Sequence, residues 1–407
     1  MKKIRMMMAA ALGVLVSCGS VKSGEEVVAA SRDSKVVVAY VTSWSEVMPD
    51  PQYMTHINYA FGHVNESFNG VKIDNEERLR QIVDLRKQKP ELKVLLSIGG
   101  WGSGRFSEMA ANDEYRRAFA ADCDRVVKEF ALDGIDIDWE YPTSSMANIS
   151  SSPDDTENFT LLMQDIRAAI GNEKELTLAT VASARYIDFK AILPSVDFVN
   201  IMAYDMASAP KHHSALYPSG HSGDITSDGA VTAHLKAGVP PSKLVMGMPF
   251  YGRGGDGYPS FQDYNKVGNT DTQYTEKWDE VAQVPYLADK NDTLVFGFEN
   301  PRSLAIKCQY ILDKDLLGGM YWDYSGDNEQ GDLRRTVAEN LLGKPHKAKV
   351  LVLTERGGQH GGFTDAGLKW LAAEGAKGNF SITEINNARN ITEACLLYTS
   401  PSPRDTR

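Results

Sequence analysis

The chain has 407 residues, 42% apolar and 24% charged, a balance that excludes a disordered or fibrous polymer and permits a buried core. Its 43 Lys and Arg against 54 Asp and Glu leave a formal net charge of −11. An acidic balance argues against nucleic acid as a partner and suits a protein acting on neutral material.

The chain opens on Lys2, Lys3 and Arg5, followed by an apolar run from Met6 to Val16. That run is too short to span a bilayer and reads as a secretory signal. It ends in Leu15-Val16-Ser17-Cys18, which resembles a bacterial lipoprotein box. The resemblance implies that residues 1–18 are a lipoprotein signal peptide, that Cys18 is lipidated, and that Gly19 after it directs the protein to the outer membrane. Residues 19–34 are expected to be a flexible tether, so the membrane is touched only through the lipid. The expected location is outside the cytoplasm, anchored at the outer membrane or cell surface. The alternative is a plain signal peptide, an incidental cysteine and a secreted product. Cys123, Cys308 and Cys395 have neither metal-site nor CxxC spacing, and the first two are expected to be buried thiols.

From residue 35 a theme repeats: a short β-rich run, then a longer amphipathic stretch. The predicted strands are Lys35–Val41, His56–Phe61, Lys93–Ile98, Gly134–Glu140, Leu176–Val181, Phe198–Tyr204, Lys243–Pro249 and Gly319–Trp322. Helical spacing recurs between them, in Glu76–Lys89, Asp113–Phe130, Asp155–Gly171 and Ser303–Leu312. Eight strands alternating with helices predict a (β/α)8 TIM barrel over residues 35–343. A doubly wound open sheet also alternates, but Thr42-Ser43-Trp44 lacks the glycines of a phosphate-binding first turn. In a barrel the site lies at the C-terminal strand ends. Tyr40, Phe61, Trp101, Glu140, Tyr204, Asp205, Tyr251, Arg253 and Trp322 fall there. Aromatic rings and acids around one rim suit a sugar pocket, because pyranose C–H faces stack on rings and hydroxyls need polar partners.

One stretch dominates the chemistry: DGIDIDWEYP, Asp133 to Pro142. Asp136, Asp138 and Glu140 alternate with Ile135, Ile137 and Trp139, so a strand places the three acids on one face. Carboxylates stacked this closely repel, and one is pushed to stay protonated. An enzyme that needs a carboxylic acid at neutral pH gains from that cost.

With these residues in view, the chain resembles glycoside hydrolase family 18, the chitinase family, over about residues 35–343. DGIDIDWEYP fits the DxxDxDxE signature, Ser97–Trp101 (SIGGW) fits SxGG, and Met202-Ala203-Tyr204-Asp205 fits MxYD. The resemblance implies catalytic roles for four residues. Glu140 would be the general acid and then base, Asp138 would hold the substrate acetamido group, Asp136 would share charge behind it, and Tyr204 would hydrogen-bond the acetamido group. It implies substrate contacts or their support from Tyr40, Phe61, Ser97, Gly99, Trp101, Tyr141, Met202, Asp205, Tyr251, Arg253 and Trp322. Ser97 is expected as a buried support for Asp136 and Trp322 as the floor under a sugar. The implied reaction is retaining hydrolysis of β-1,4 bonds in chitin or N-acetylglucosamine oligosaccharides, with the substrate's acetamido oxygen as nucleophile. No cofactor and no metal is expected, and a monomer is. Cleavage of N-glycan cores is the alternative within the same chemistry. A sugar-binding lectin is the alternative outside it, disfavoured because Glu140 is present.

Three further expectations concern the rest. The segment of about 60 residues after Arg253 leaves little room for an inserted domain, which predicts an open cleft and endo-type cutting. Within it, Tyr258, Phe261 and Tyr264 either line a subsite or pack locally. His212 and His213 alone are not a metal site. After Gly343 the character changes. Lys349–Leu353 and Phe380–Ile385 read as strands around a helix-like Asp365–Glu374. Residues 348–395 resemble the opening of a trehalose-utilisation-A-like domain, which implies a truncated flavodoxin-like α/β fragment. Residues 396–407 read as an artefactual tail.

Overall fold

The strands of the central sheet are almost continuously apolar, as parallel strands covered on both faces must be. In the computed structural model, residues 35–255, 258–267, 273–343, 348–353, 364–371 and 380–385 are described. The barrel strands are β1 (Val36–Thr42), β2 (His56–Val64), β4 (Lys93–Gly99), β5 (Gly134–Asp138), β6 (Glu175–Val181), β7 (Phe198–Met202), β8 (Leu244–Pro249) and β14 (Gly318–Trp322), numbered with all other strands in chain order. They pair in parallel in the order β1-β14-β8-β7-β6-β5-β4-β2, and β1 pairs again with β2 to close the ring. The short β3 (Val71–Ile73) adds antiparallel to β2. This is the predicted eight-stranded barrel.

Helices α1 (Glu76–Val83), α2 (Phe106–Ala111), α3 (Asp113–Glu129), α4 (Asp155–Ile170), α5 (Phe189–Ile192), α6 (Ser227–Lys236), α7 (Pro301–Asp313) and α8 (Asp332–Leu341) connect the strands. Alternation fails once: only a single 3-10 turn, Pro51–Tyr53, lies between β1 and β2. Helix starts are set by local chemistry. Asn112 accepts hydrogen bonds from the Glu114 and Tyr115 amides, and Asn300 with Ser303 forms a capping box beside Pro301.

The period-2 pattern sorts β1 cleanly. Val37, Ala39 and Val41 belong to the core between strands and helices, while Val38 and Tyr40 belong to a separate cluster inside the barrel. β5 does the same with opposite chemistry. Ile135 and Ile137 face the outer core with Trp139, and Asp136 and Asp138 are buried inside. Cys123 and Cys308 are buried thiols, as expected.

Two strands end earlier than predicted. β5 stops at Asp138, so Glu140 stands beyond the ladder, and β7 stops at Met202, before Tyr204. The neighbouring β4 ends at Gly99, paired with Asp138, and the Gly100 amide donates the closing hydrogen bond to the Asp138 carbonyl at 2.9 Å.

The expectation of little room after Arg253 is corrected. Strands β9 (Tyr251–Gly254), β10 (Gln262–Asp263), β11 (Thr275–Asp279), β12 (Val284–Ala288) and β13 (Leu294–Gly297) form an antiparallel sheet in the order β10-β9-β13-β12-β11. Antiparallel strands need only short turns, so five fit where a helix-containing insertion would not. Leu287, Phe296 and Phe298 give this sheet its own small core.

Near the C-terminus, β15 (Ala348–Leu353) and β16 (Phe380–Ile385) pair in parallel, and residues 364–371 between them are helical. Both strands lie where the sequence pattern put them. Cys18 and the segments 1–34 and 396–407 lie outside the described residues.

Candidate active site

Asp136, Asp138 and Glu140 rise in a row from the barrel interior to its mouth. Asp136 is fully buried and accepts four hydrogen bonds. The Tyr40 hydroxyl (2.9 Å) and Ser97 hydroxyl (2.8 Å) donate to Oδ2. The Thr177 hydroxyl (2.6 Å) and the Asn200 amide (3.3 Å) donate to Oδ1. Burial pushes its carboxyl up, and these four donors oppose that by favouring the anion. Asp138 has no such support, for its Oδ1 is buried without a hydrogen-bond partner among the described residues. Burial, then the charges of Glu140 and Asp136, hold its carboxyl well above the usual range.

Glu140 is 9% exposed and faces a cleft of about 710 Å³. Its pKa is pushed up to about 7. Burial is the largest cause, the Tyr141 hydroxyl opposes it, and the negative charge of Asp205 adds to it. The sequence argument assigned this lift to neighbouring charge alone, and desolvation proves larger. The row therefore keeps protons on its outer members near neutral pH.

Aromatic rings surround the row. Phe61 stacks on Trp322 at 5.6 Å between centroids, and Tyr40 and Trp44 meet the same indole at 5.7 and 6.5 Å. Across the cleft, Tyr141 contacts Trp101 edge-on at 6.5 Å and stacks on Tyr186 at 5.6 Å. Trp44 and Trp101 are 64% and 62% exposed, so each offers a ring face to solvent. Tyr251 and Phe261 stack at 4.7 Å on a third side.

Asp205 is committed elsewhere. Arg253 grips it with two hydrogen bonds of 2.6 Å, and Nδ1 of the buried His213 lies 3.4 Å away. Burial raises the Asp205 carboxyl, but the Arg253 fork and His213 outweigh it and hold the group well below the usual carboxylate range. The Tyr204 ring stands beside Tyr251 at 6.0 Å and lines the cleft with Asp138 and Glu140.

Of the residues singled out in the sequence, Tyr40, Phe61, Trp101, Asp138, Glu140, Tyr141, Met202, Tyr204, Asp205, Tyr251, Arg253 and Trp322 all line this cleft. Ser97 does not, and it supports Asp136 from below, as expected. Gly99 is not among the residues lining the cleft either. It has φ +132°, and a Cβ there would meet the Asp138 carbonyl oxygen at 2.0 Å, so glycine is required for β4 to lie against β5. Phe261 lines the cleft, whereas Tyr258 packs on Phe296 at 4.5 Å.

Sequence reasoning missed Thr177, Asn200 and His213. The first two carried a signal, a polar residue inside the apolar runs ELTLATV and FVNIM. His213 carried none beyond its histidine neighbour, because its partner Asp205 is brought to it only by the fold. His212 has a different role: it is buried with Nε2 3.2 Å from Asp279.

Comparison with known proteins agrees with this geometry. The family profile described as "Glycosyl hydrolases family 18" matches residues 36–327. Chitinase A1 of Niallia circulans is 30% identical over 74% of this chain, and the chain spans 58% of that protein's length. Chitotriosidase-1 of Mus musculus is 31% identical over 72% of this chain and 74% of its own. The solved structure of a glycoside hydrolase family 18 N-acetylglucosaminidase from Paenibacillus barengoltzii superposes with a TM-score of 0.70 at 32% identity, over 75% of this chain and 99% of that one. The matched span holds the whole barrel wall from β1 to β14, the acidic row and the aromatic rim, and on these grounds the chain belongs to glycosyl hydrolases family 18.

Proposed function

We propose that the protein is a retaining glycosidase that cleaves β-1,4 bonds between N-acetylglucosamine units of chitin or chito-oligosaccharides. One observation carries the reading. Glu140 stands at the cleft as a carboxyl that half-ionises near pH 7, while the cleft's outlying acid, Asp205, is locked to Arg253 and His213. Glu140 can donate its proton at the mouth of the cleft, Asp138 beneath it holds its own proton and is no resting nucleophile, and attack is left to the substrate. The names of the two chitinase relatives support chitin as the polymer.

The steps follow from the residues. The sugar to be cleaved lies over Trp322, between Tyr40 and Phe61. The Glu140 proton passes to the glycosidic oxygen as the C1–O bond breaks. The substrate's acetamido oxygen bonds to C1 and the ring becomes a positively charged oxazolinium. That charge lowers the cost of ionising Asp138, whose proton passes to the Asp136 carboxylate behind it, and the Asp138 carboxylate then accepts a hydrogen bond from the amide N–H. The Tyr204 hydroxyl steadies the acetamido group. Glu140, now a base, takes a proton from water as the water attacks C1 and the bond from C1 to the acetamido oxygen breaks, so the amide is restored and configuration is retained. Glu140→Gln tests this: turnover of chito-oligosaccharides should fall to near background with binding intact, and near-normal turnover would overturn the assignment.

Three further parts of the reading rest on sequence pattern. The protein is exported and lipid-anchored through Cys18, and an unmodified mature N-terminus other than Cys18 in mass spectrometry would refute that. The catalytic unit acts as a monomer, which light scattering checks. Residues 348–395 open a unit similar to trehalose-utilisation-A-like domains, and the parallel β15–β16 pair around a helix supports that pattern.

A further inference from the structure

Trp101 reaches the cleft from a turn that has little packing to hold it. The Ser103 amide donates to the Gly100 carbonyl at 3.0 Å, which closes a tight turn with Trp101 and Gly102 at its centre. Gly102 has φ +83°, the left-handed backbone that glycine supplies at the third residue of such a turn. Gly99, Gly100, Gly102 and Gly104 surround the indole in sequence, and glycine loses more freedom on ordering than any other residue. The outer side of the turn is open. Apart from its chain neighbours, a Cβ on Gly102 would meet nothing nearer than the Ala147 carbonyl oxygen, 3.9 Å away.

A bridge of side chains supplies what packing does not. The Ser103 hydroxyl lies 2.8 Å from Nδ1 of His63, and Nε2 of His63 lies 3.0 Å from Oδ2 of Asp74. Asp74 is fixed through its own backbone. Its amide donates to the Phe61 carbonyl at 3.0 Å, and the Tyr59 hydroxyl donates to its carbonyl at 3.0 Å. His63 stands on β2, and Asp74 directly follows β3, so the bridge ties the turn to two strands of the sheet. The Asp74 carboxylate can only accept, so Nε2 donates to it and Nδ1 accepts from the Ser103 hydroxyl. A hydroxyl can also accept, so a doubly protonated imidazole keeps both bonds. The bridge is a tie and not a switch.

Its consequence lies in what the turn carries. The Trp101 ring stands with Tyr141, the residue after Glu140, and across the cleft from Trp322. That is the side to which the departing sugar goes when Glu140 protonates the glycosidic oxygen. We propose that His63, acting through Ser103, is a positioning residue for Trp101 and thereby sets the affinity for the sugar on the leaving-group side, a step that rests on the glycosidase reading above. His63, Ser103 and Asp74 do not line the cleft, so their influence on substrate passes through the turn. An indole already held in one orientation stacks on a pyranose without first ordering a glycine-rich segment.

The test separates the two sides of the cleft. N-acetyl-chitohexaose spans both, whereas the thiazoline of N,N'-diacetylchitobiose has no leaving group and fills only the side away from Trp101. Ser103→Ala and His63→Leu should each raise KM for the hexaose about five-fold with kcat nearly unchanged, the worth of one sugar–ring contact. The inhibition constant of the thiazoline should stay the same. Ser103→Thr, which restores the hydroxyl, should restore KM. In a Trp101→Ala background, Ser103→Ala should add nothing, because both changes remove the same contact. An unchanged hexaose KM in both single variants, a rise that persists in full without Trp101, or an equal loss of thiazoline binding would overturn the proposal. If the wild type neither cleaves the hexaose nor binds the thiazoline, the glycosidase reading itself has failed.

Discussion

Replacing Glu140 by Gln should stabilise the protein at alkaline pH while abolishing its turnover. The wild-type carboxyl has its pKa lifted from an ordinary 4.5 to about 7 by the fold. The unfolded chain ionises near 4.5, so the folded state binds more protons between those values. The stability Glu140 contributes is therefore fully present below about pH 4.5 and is lost as pH rises through about 7. At about 1.4 kcal/mol for each tenfold change in proton affinity, the loss amounts to roughly 3 kcal/mol at pH 8. A glutamine carries no charge to desolvate and escapes the loss. It also removes the charge that helps hold a proton on Asp138. Urea unfolding of both proteins at pH 4 and pH 8 reads the difference directly. The variant should match the wild type at pH 4 and exceed it by about 3 kcal/mol at pH 8. Equal stabilities at pH 8, or a gain of the same size at both pH values, would refute the view that the row is electrostatically costly.

Two neighbours of Glu140 should move its titration in opposite directions. Tyr141→Phe removes a hydroxyl that favours the carboxylate, so the alkaline limb of the kcat/KM profile should rise above pH 7, whereas Asp205→Asn removes a charge that lifts Glu140, and the limb should fall. Away from the cleft, Lys307 and Glu299 form a fully buried ion pair that also holds Ser214, the neighbour of His213. Lys307→Met strands the Glu299 charge and should cost about 3–5 kcal/mol in chemical denaturation. Lys307→Met/Glu299→Leu should recover most of it.

The barrel was legible because its signal is local and repeated. Each barrel strand declares itself in a run of five to nine mostly buried residues, and DGIDIDWEYP shows its alternation in plain sight. The same locality explains the errors. Where β5 and β7 stop depends on how far their neighbours run, which no single stretch encodes. The five-stranded sheet after Arg253 escaped notice because β9, β10 and β13 have four residues or fewer. Gly99 looked like part of a binding motif, yet its reason is the Asp138 carbonyl beneath it. That three acids share one face could be read from spacing alone, and their expected roles came with the family resemblance. Of the four donors around Asp136, Ser97 was expected there from the resemblance, but its convergence with Tyr40, Thr177 and Asn200 was not, because the four come from four different strands.

The central claim is that the substrate's own acetamido oxygen is the nucleophile, with Asp138 answering the charge that forms. The direct test is the turnover rate of two chromogenic chitobiosides. One carries the natural N-acetyl group beside the scissile bond and the other N-trifluoroacetyl, whose fluorines draw electrons from the attacking oxygen. The account predicts a steep fall in rate for the fluorinated compound with its binding retained. Equal rates for the two compounds would contradict it.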